Sequence, residues 1–259
     1  MSSIPYLPIS LQKSLQERSL LKVIAGLNNF DQDSVIQIAK AAARGKADLL
    51  DIACDPELVR LVLQHSEIPV CVSAVEPELF PPVIDAGASM IEIGNFDSFY
   101  TQGRFFEADE VIALTERTKA LLPDVYLSVT VPHILPLDQQ SELALTLVEK
   151  GADLIQTEGG TSVKPLGAGV LGLIEKAAPT LASTHAISAT FQQSFCAVPI
   201  ISASGLSAVT SPMAIAAGAS GIGVGSVVNR LNSEIEMIAV IRSIREELTF
   251  SKSVSAKFI

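Results

Sequence analysis

Short apolar runs alternate along the chain with longer segments in which apolar residues recur at helical spacing. The runs are rich in β-branched residues and are typical of strands buried on both faces, as in a parallel sheet. They begin near residues 22, 48, 69, 90, 125, 154, 199 and 221. The pattern predicts eight strands that alternate with helices.

Helix-start signals follow several of these runs. Asp31 or Asp33 is placed to cap a helix that ends at Gly45. The segment DPE at 55–57 opens the next helix with proline in the first turn, where its missing N–H costs little. The similar segment EPE at 76–78 is followed by two more prolines, which predicts a short or irregular helix.

A related phrase marks every second strand. The copies are KADLLDIA from Lys46, GASMIEIG from Gly87, GADLIQTE from Gly151 and GASGIGVG from Gly218. Four such βαβ units in a chain of 259 residues favour a closed (β/α)8 TIM barrel over an open doubly wound sheet. We expect a single α/β domain over 1–259, with an extra N-terminal helix within 1–20 closing the barrel bottom and a loose tail at 250–259.

The inward positions of the even-numbered strands carry the candidate chemistry. Alternation along a strand puts Asp51, Glu92, Gln156 and Gly223 at one level, with Glu158 one level higher. Active sites of this fold lie at the carboxyl ends of the strands, so Glu158 is the strongest catalytic candidate.

Carboxylates at the mouth of a barrel suit acid/base chemistry or Mg²⁺ binding, and Asp97 belongs to the same acidic group. The alternative for Asp51 and Glu92 is a buried network paired with Lys22. Lys22 suits a Schiff base or an ion pair, and His133 suits a proton carrier or a structural hydrogen bond. The catalytic candidates are Glu158, Glu92, Asp51, Lys22 and His133.

Two glycine-containing segments follow the last two strands, SASG from Ser202 and GVGS from Gly223. Glycines there let backbone N–H groups approach an anion, and Gly223 replaces a carboxylate where an anion needs room. The alternative is that these glycines serve only tight turns and strand packing. The phosphate-binding candidates are Ser204, Gly205, Gly223, Gly225 and Ser226.

Loops after strands 1, 4 and 6 supply further polar and glycine residues. The other ligand-binding candidates are Asn28, Asn95, Gly159, Gly160 and Thr161.

Composition and charge indicate which classes of binding partner are unfavourable for this chain. A net charge of −10 and a pI near 4.8 argue against nucleic acid, and no uninterrupted apolar stretch is long enough for a membrane span. The three cysteines lack the spacing of a disulfide framework or a zinc site, so we predict no metal ligand set. The sequence does not identify a cofactor, and use of Mg²⁺ is left open. The start of the chain lacks the pattern of a signal peptide, and homo-oligomerisation is left open.

Several segments, in this order, resemble one known family. KVIAGLNNFD from Lys22, IEIGNFDSFY from Ile91, LSVTVPHILP from Leu127 and IQTEGGTS from Ile155 are similar to the hypothetical chloroplast reading-frame family twenty-three. The resemblance extends from about Lys22 to about Leu248. It implies an aldolase-type TIM barrel located in the cyanobacterial cytoplasm or the plastid stroma, and it supplies no established reaction.

These observations favour an enzyme that binds a small phosphorylated metabolite and acts as a lyase or isomerase by carboxylate acid/base chemistry. Two alternatives are a non-catalytic barrel that senses a phosphorylated metabolite and regulates a protein partner, and a Mg²⁺-assisted enzyme that uses Asp51, Glu92 and Glu158. Glutamine and glutamate on strand 6, where lysine-dependent aldolases have lysine, argue against Schiff-base chemistry.

Overall fold

Eight parallel strands close into a barrel. The computed structural model of the chain describes residues 7–159 and 163–255. Neighbouring strands pair in sequence order, and the last strand pairs with the first. The strands are β1 (Leu20–Ile24), β2 (Leu49–Ala53), β3 (Val70–Ala74), β4 (Met90–Ile93), β5 (Leu127–Thr130), β6 (Leu154–Gln156), β7 (Ile200–Ser202) and β8 (Gly221–Val224). All eight predicted strands and the TIM barrel are confirmed.

Helices surround the barrel and fill the connections between strands. They are α1 (Ile9–Gln16), α2 (Gln32–Arg44), α3 (Pro56–His65), α4 (Phe80–Asp85), α5 (Asp97–Tyr100), α6 (Ala108–Leu121), α7 (Leu137–Glu149), α8 (Gly169–Gln193), α9 (Ser211–Ala216), α10 (Ser226–Asn229) and α11 (Glu234–Ser255). A 3-10 turn at Pro77–Leu79 precedes the six-residue α4, which confirms the predicted irregular helix.

Two predicted caps form as the sequence indicates. The Asp31 side chain accepts a hydrogen bond from the Ser34 backbone N at 2.9 Å, and Gly45 ends α2. The Asp55 side chain likewise accepts from the backbone N atoms of the first turn of α3. These bonds satisfy N–H groups that otherwise have no partner at a helix start.

The outward faces of the strands and the inner faces of the helices form the main apolar core. A second, smaller apolar cluster fills the amino end of the barrel, where Leu11 and Leu15 of α1 pack against Leu20, Leu49 and Met90. Helix α1 therefore closes the bottom of the barrel, as the sequence predicts.

Glycines on β8 leave room for bulky side chains of β1. A Cβ added at Gly221 would lie 2.7 Å from the Leu20 Cβ. One added at Gly223 would lie 2.9 Å from the Ala203 Cβ and 3.1 Å from the Ile24 Cδ1. Packing within the barrel is thus one reason for the glycine at 223, and its role in binding an anion stays a prediction.

Three helical segments differ from expectation. Helix α5 lies inside a segment that the sequence indicated only as a long loop, and α8 runs for 25 residues through Pro179. Helix α11 continues to Ser255, so most of the predicted loose tail at 250–259 is helical. Residues 1–6 and 256–259 lie outside the described part of the chain.

Over residues 7–159 and 163–255, no helix combines the length and the apolar character needed to cross a bilayer.

Candidate active site at the carboxyl end of the barrel

A charged network fills the middle of the barrel. Lys22 of β1, Asp51 of β2 and Glu92 of β4 are at most 1% exposed. The Lys22 Nζ donates to the Glu92 Oε2 at 2.7 Å and to the Gln156 Oε1 at 3.0 Å, and it lies 3.1 Å from the Asp51 Oδ2. Three acceptors match the three N–H bonds of the ammonium group.

The carboxylates of this network have further donors. The Ser73 Oγ donates to the Asp51 Oδ1 at 2.6 Å, and the Ser128 Oγ donates to the Glu92 Oε2 at 2.7 Å. From above, the Asn95 Nδ2 donates to the Asp51 Oδ2 at 3.2 Å. Asn95, a candidate ligand-binding residue, therefore covers the network on its mouth side.

Electrostatics hold Lys22 in its charged form. Burial by itself lowers the pKa of Lys22, but the adjacent Asp51 and Glu92 carboxylates outweigh it and raise the pKa above the ordinary value for lysine. Burial raises the pKa of Glu92, and Lys22 opposes that rise. A lysine held as an ammonium ion is not a nucleophile, so the structure favours the network interpretation of these three residues.

Glu158 belongs to a second polar group, nearer the mouth. It follows β6, while His133 follows β5, and Asp97 and Tyr100 lie on α5 after β4. We call Glu158, Asp97, His133 and Tyr100 the Glu158 cluster. Because β4, β5 and β6 are neighbours in the barrel, their carboxyl ends bring these residues together.

Several donors converge on the Glu158 carboxylate. The Oε1 accepts from the Tyr100 Oη and from the His133 backbone N at 3.1 Å, and it lies 3.1 Å from the His133 Nδ1. The Oε2 accepts from the Asp97 backbone N at 3.3 Å. The His133 Nδ1 also lies 3.4 Å from the Asp97 Oδ1. The cluster therefore connects two carboxylates through one imidazole.

The surroundings of the cluster favour protonated Tyr100 and His133. Burial and the Glu158 carboxylate raise the pKa of Tyr100 above its ordinary value. Burial alone lowers the pKa of His133, but the hydrogen bond to Glu158 and the charge of Asp97 raise it overall. Both side chains can therefore donate a proton toward a carboxylate.

The backbone after β6 passes close to His133. Gly159 has a φ of 132°, and a Cβ there would lie 3.3 Å from the Cβ atoms of both His133 and Pro179. A side chain at 159 would thus be strained and would push on the histidine. Gly160 and Thr161, two further candidates in this loop, lie outside the described residues.

A cavity of about 230 Å³ lies between α8 and α10, at the loops that follow β7 and β8. Its lining includes two cationic side chains, Lys176 of α8 and Arg230, the residue after α10. Burial lowers the pKa of Lys176 and the nearby charge of Arg230 lowers it further, which places the two cations in one another's field. We call this space the anion cavity.

Two of the five phosphate-binding candidates line the anion cavity. Gly205 and Ser226 line it, together with apolar side chains such as Leu173 and Val227. Gly223 is buried inside the barrel, and neither Ser204 nor Gly225 is among the lining residues. These roles in phosphate binding stay predictions.

Ser204 connects the cavity with the cluster. Its Oγ donates to the Asp97 Oδ2 at 3.3 Å, and the next residue, Gly205, lines the anion cavity. Thr180 of α8, one turn after Lys176, donates from its Oγ1 to the Ser204 carbonyl O at 2.8 Å. The two features therefore adjoin at the carboxyl end of β7.

The remaining candidate, Asn28, is exposed in the turn after β1. A larger cavity of about 480 Å³ lies at the opposite end of the barrel, where Pro8 and Tyr126 are among its lining residues. Catalytic groups in this fold gather at the carboxyl ends of the strands, so we place the candidate site at the Glu158 cluster.

Three important residues were not identified from the sequence as candidates: Tyr100, Lys176 and Arg230. Tyr100 lies in the sequence IEIGNFDSFY, one of the segments that carry the family resemblance. Lys176 is the single lysine of α8, and Arg230 directly follows the GVGSVVN segment. A search for cations near the predicted phosphate loops would have found Arg230.

Comparison with known proteins reveals relatives that match over nearly the whole chain. Uncharacterized protein ycf23 of Cyanophora paradoxa is 45% identical over 243 residues, covering 92% of this chain and 96% of that protein. The chain belongs to the ycf23 family. The ycf23 protein of Porphyra purpurea is 38% identical over 244 residues, covering 94% of this chain and 90% of that protein. The family model described as "Protein of unknown function (DUF561)" matches residues 7–254. The predicted family resemblance is confirmed.

The ycf23 barrel is similar to solved structures of low sequence identity. Thiamine phosphate pyrophosphorylase from Pyrococcus furiosus has a TM-score of 0.58 at 18% identity, covering 92% of this chain and 98% of that one. (S)-3-O-geranylgeranylglyceryl phosphate synthase from Thermoplasma acidophilum has a TM-score of 0.62 at 14% identity, covering 95% and 99%. These likenesses show the fold.

Proposed function

We propose that the protein is an enzyme that binds a small phosphorylated metabolite in the anion cavity and acts on it as a lyase or isomerase. The observation that carries this proposal is the adjacency of the anion cavity and the Glu158 cluster. Ser204 bonds to Asp97 on one side, and Gly205 lines the cavity on the other. One small molecule can therefore place its phosphate in the cavity and its carbon skeleton at Glu158.

The cavity has the chemistry of a phosphate site. Lys176 and Arg230 face it without a carboxylate among its lining residues. Two neighbouring cations repel one another, and a bound phosphate attracts both of them and so offsets that repulsion. Glycine at 205 and serine at 226 add small or hydrogen-bonding groups that suit close approach of an anion.

The cluster has the chemistry of proton transfer. Lyases and isomerases of small metabolites move a proton to or from a carbon or oxygen atom near a carbonyl group. In our proposal Glu158 exchanges that proton with the substrate. Tyr100 and His133 hold the Oε1 of Glu158, and the Asp97 backbone N holds its Oε2, so the carboxylate is fixed in orientation.

The names of similar structures support the substrate class. The thiamine phosphate enzyme, a 3-hexulose-6-phosphate synthase and a synthase crystallised with sn-glycerol-1-phosphate all share this fold.

We propose that the protein is located in the cyanobacterial cytoplasm or the plastid stroma, as the family resemblance implies.

Thermal unfolding against a panel of phosphorylated metabolites, with inorganic phosphate included, tests the proposal. A ligand at ~100 times its dissociation constant is expected to stabilise the protein by ~2.7 kcal/mol, which gives a clear rise in melting temperature. The double variant Lys176→Met/Arg230→Met is expected to lose this rise because both cations are gone. Ser226→Asp is expected to weaken binding by placing a negative charge in the cavity.

The matched control is Lys150→Met, which removes an exposed lysine at the end of α7, away from the mouth. It should keep the full ligand-induced rise. A rise of the same size in Lys176→Met/Arg230→Met would show that the ligand binds elsewhere, and no rise across the panel would contradict the proposal. Binding without turnover of any stabilising ligand would favour the sensing alternative.

A further inference from the structure

Three potential metal ligands meet inside the Glu158 cluster. Within the part of the chain that the structure describes, Asp97, His133 and Glu158 each offer a donor atom, and these atoms all lie within 4.8 Å of one another. The His133 Nδ1 lies 3.1 Å from the Glu158 Oε1 and 3.4 Å from the Asp97 Oδ1. Both oxygens therefore face the same ring nitrogen.

The two separations from the His133 Nδ1 match those between ligands of one metal ion. Ligands bound about 2.1 Å from an ion stand about 3.0 Å apart at an octahedral angle and about 3.4 Å apart at a tetrahedral angle. The two distances from the His133 Nδ1 lie at these values. His133 can therefore share one ion with either carboxylate, and the two carboxylate oxygens, which lie within 4.8 Å of one another, move together onto the same ion.

We propose that Asp97, His133 and Glu158 bind one divalent transition-metal ion of the zinc or manganese class. An imidazole nitrogen with two carboxylate oxygens suits such ions, whereas Mg²⁺ prefers oxygen ligands alone. As the ion binds, it displaces the proton from the His133 Nδ1 to solvent, so that the Nδ1 binds the ion through its lone pair and the ring proton stays on Nε2. Three protein ligands leave at least one coordination position for a substrate oxygen.

Neighbouring groups hold the ligands in place. The Ser204 Oγ donates to the Asp97 Oδ2, the oxygen that does not face the histidine. The Asp97 backbone N donates to the Glu158 Oε2, and Tyr100 donates to the Oε1. Such supporting bonds orient metal ligands and raise their affinity. With the ion on Oε1, Glu158 keeps Oε2 for its role in the proposed reaction.

Burial also suits a resident ion. The exposed fractions of the side chains are 13% for Asp97, 15% for His133 and 5% for Glu158. With a neutral imidazole the three side chains carry two negative charges in a partly dehydrated place, and a divalent cation balances them. The remaining exposure leaves a path for entry from solvent.

A role for this ion in the reaction rests on the proposed function, because in that proposal the anion cavity places the substrate beside the ion. An ion at this position polarises a carbonyl or hydroxyl oxygen of the substrate and thereby eases proton removal from the neighbouring atom. Metal binding itself does not depend on the substrate, so it is testable alone.

The test is a titration of the full chain with Co²⁺ alone. The protein is first treated with a chelator, and binding is measured by visible absorption and by calorimetry. We expect one Co²⁺ per chain, displaced by Zn²⁺ but not by an equal concentration of Mg²⁺. Asp97→Asn, His133→Ala and Glu158→Gln are each expected to weaken Co²⁺ binding about 100-fold or more, beyond the 10- to 100-fold typical of outer-shell changes. The exposed Glu116→Gln is the control and should bind as the unchanged protein does.

The asparagine and glutamine variants keep the size of the side chain, and their melting temperatures without metal show whether they fold. No absorption and no heat with Co²⁺, or affinity unchanged in all three ligand variants, would overturn the metal site. Phosphate-induced stabilisation, measured on the same samples, separates the two proposals. Lys176→Met/Arg230→Met should lose the phosphate effect and retain Co²⁺ binding, so either proposal can fail without the other.

Discussion

Replacement of Lys22 with methionine is expected to lower the melting temperature by roughly 6 to 20 °C. Lys22 is fully buried between Asp51 and Glu92, so its removal leaves two buried carboxylates without their cation. Removing one partner from a buried ion pair costs about 3–5 kcal/mol, and each kcal/mol lowers the melting temperature of a domain of this size by about 2–4 °C. Calorimetry of the purified variant measures this change.

The loss of stability in Lys22→Met should depend on pH. Lys22 opposes the rise in the pKa of Glu92, so the variant raises that pKa further. A carboxyl group with a raised pKa in the folded state contributes stability below its unfolded pKa and loses it as pH rises through the folded pKa. The deficit of Lys22→Met relative to the unchanged protein should therefore shrink as pH falls toward the ordinary range of glutamate.

Two further variants control this prediction. In Lys22→Met/Asp51→Asn/Glu92→Gln the uncompensated charges are gone, so much of the lost stability should return. Lys150→Met removes a lysine from an exposed ion pair with Glu116 and should leave the melting temperature unchanged within error. A melting temperature of Lys22→Met close to that of the unchanged protein would contradict the assigned role of Lys22.

The second large effect concerns Glu158. Glu158→Gln is expected to lower kcat about 10²- to 10⁴-fold on the metabolite that stabilises the protein most, because an amide cannot exchange the proton. Affinity for that metabolite should change little, since in our proposal Lys176 and Arg230, which line the anion cavity, bind its phosphate. Conversion is followed by nuclear magnetic resonance in D₂O, which also reports exchange of a substrate proton with solvent.

Glu116→Gln serves again as the matched surface variant and should keep full kcat. Loss of both conversion and solvent exchange in Glu158→Gln, with binding retained, is the expected combination. A Glu158→Gln variant with kcat within a few-fold of the unchanged protein would remove Glu158 from the reaction.

The fold was predictable because its signals are local. Each strand is a short apolar run, and the phrase that contains β2, β4, β6 and β8 recurs in recognisable form. Caps such as Asp31 and Asp55 are likewise set by neighbours in sequence. The extent of α8 was less predictable, because packing carries that helix through Pro179.

The site was predictable only in part. Glu158 and His133 follow strands directly, so the strand prediction already placed them at the mouth. Tyr100 and Lys176 lie on helices, and the way each helix packs against the barrel decides which side chain reaches the site. The packing of Gly223 was likewise not predictable from neighbours in sequence. Its contact with Ile24 depends on the closure of the barrel between β8 and β1.

The central claim is that one phosphorylated molecule occupies both the anion cavity and the Glu158 cluster. A crystal structure of the protein with the most stabilising metabolite from the panel tests it most directly. Our account predicts the phosphate within hydrogen-bond reach of Lys176 and Arg230, with the carbon skeleton directed toward the Glu158 carboxylate. A phosphate bound elsewhere on the protein, or a carbon skeleton directed away from Glu158, would contradict it.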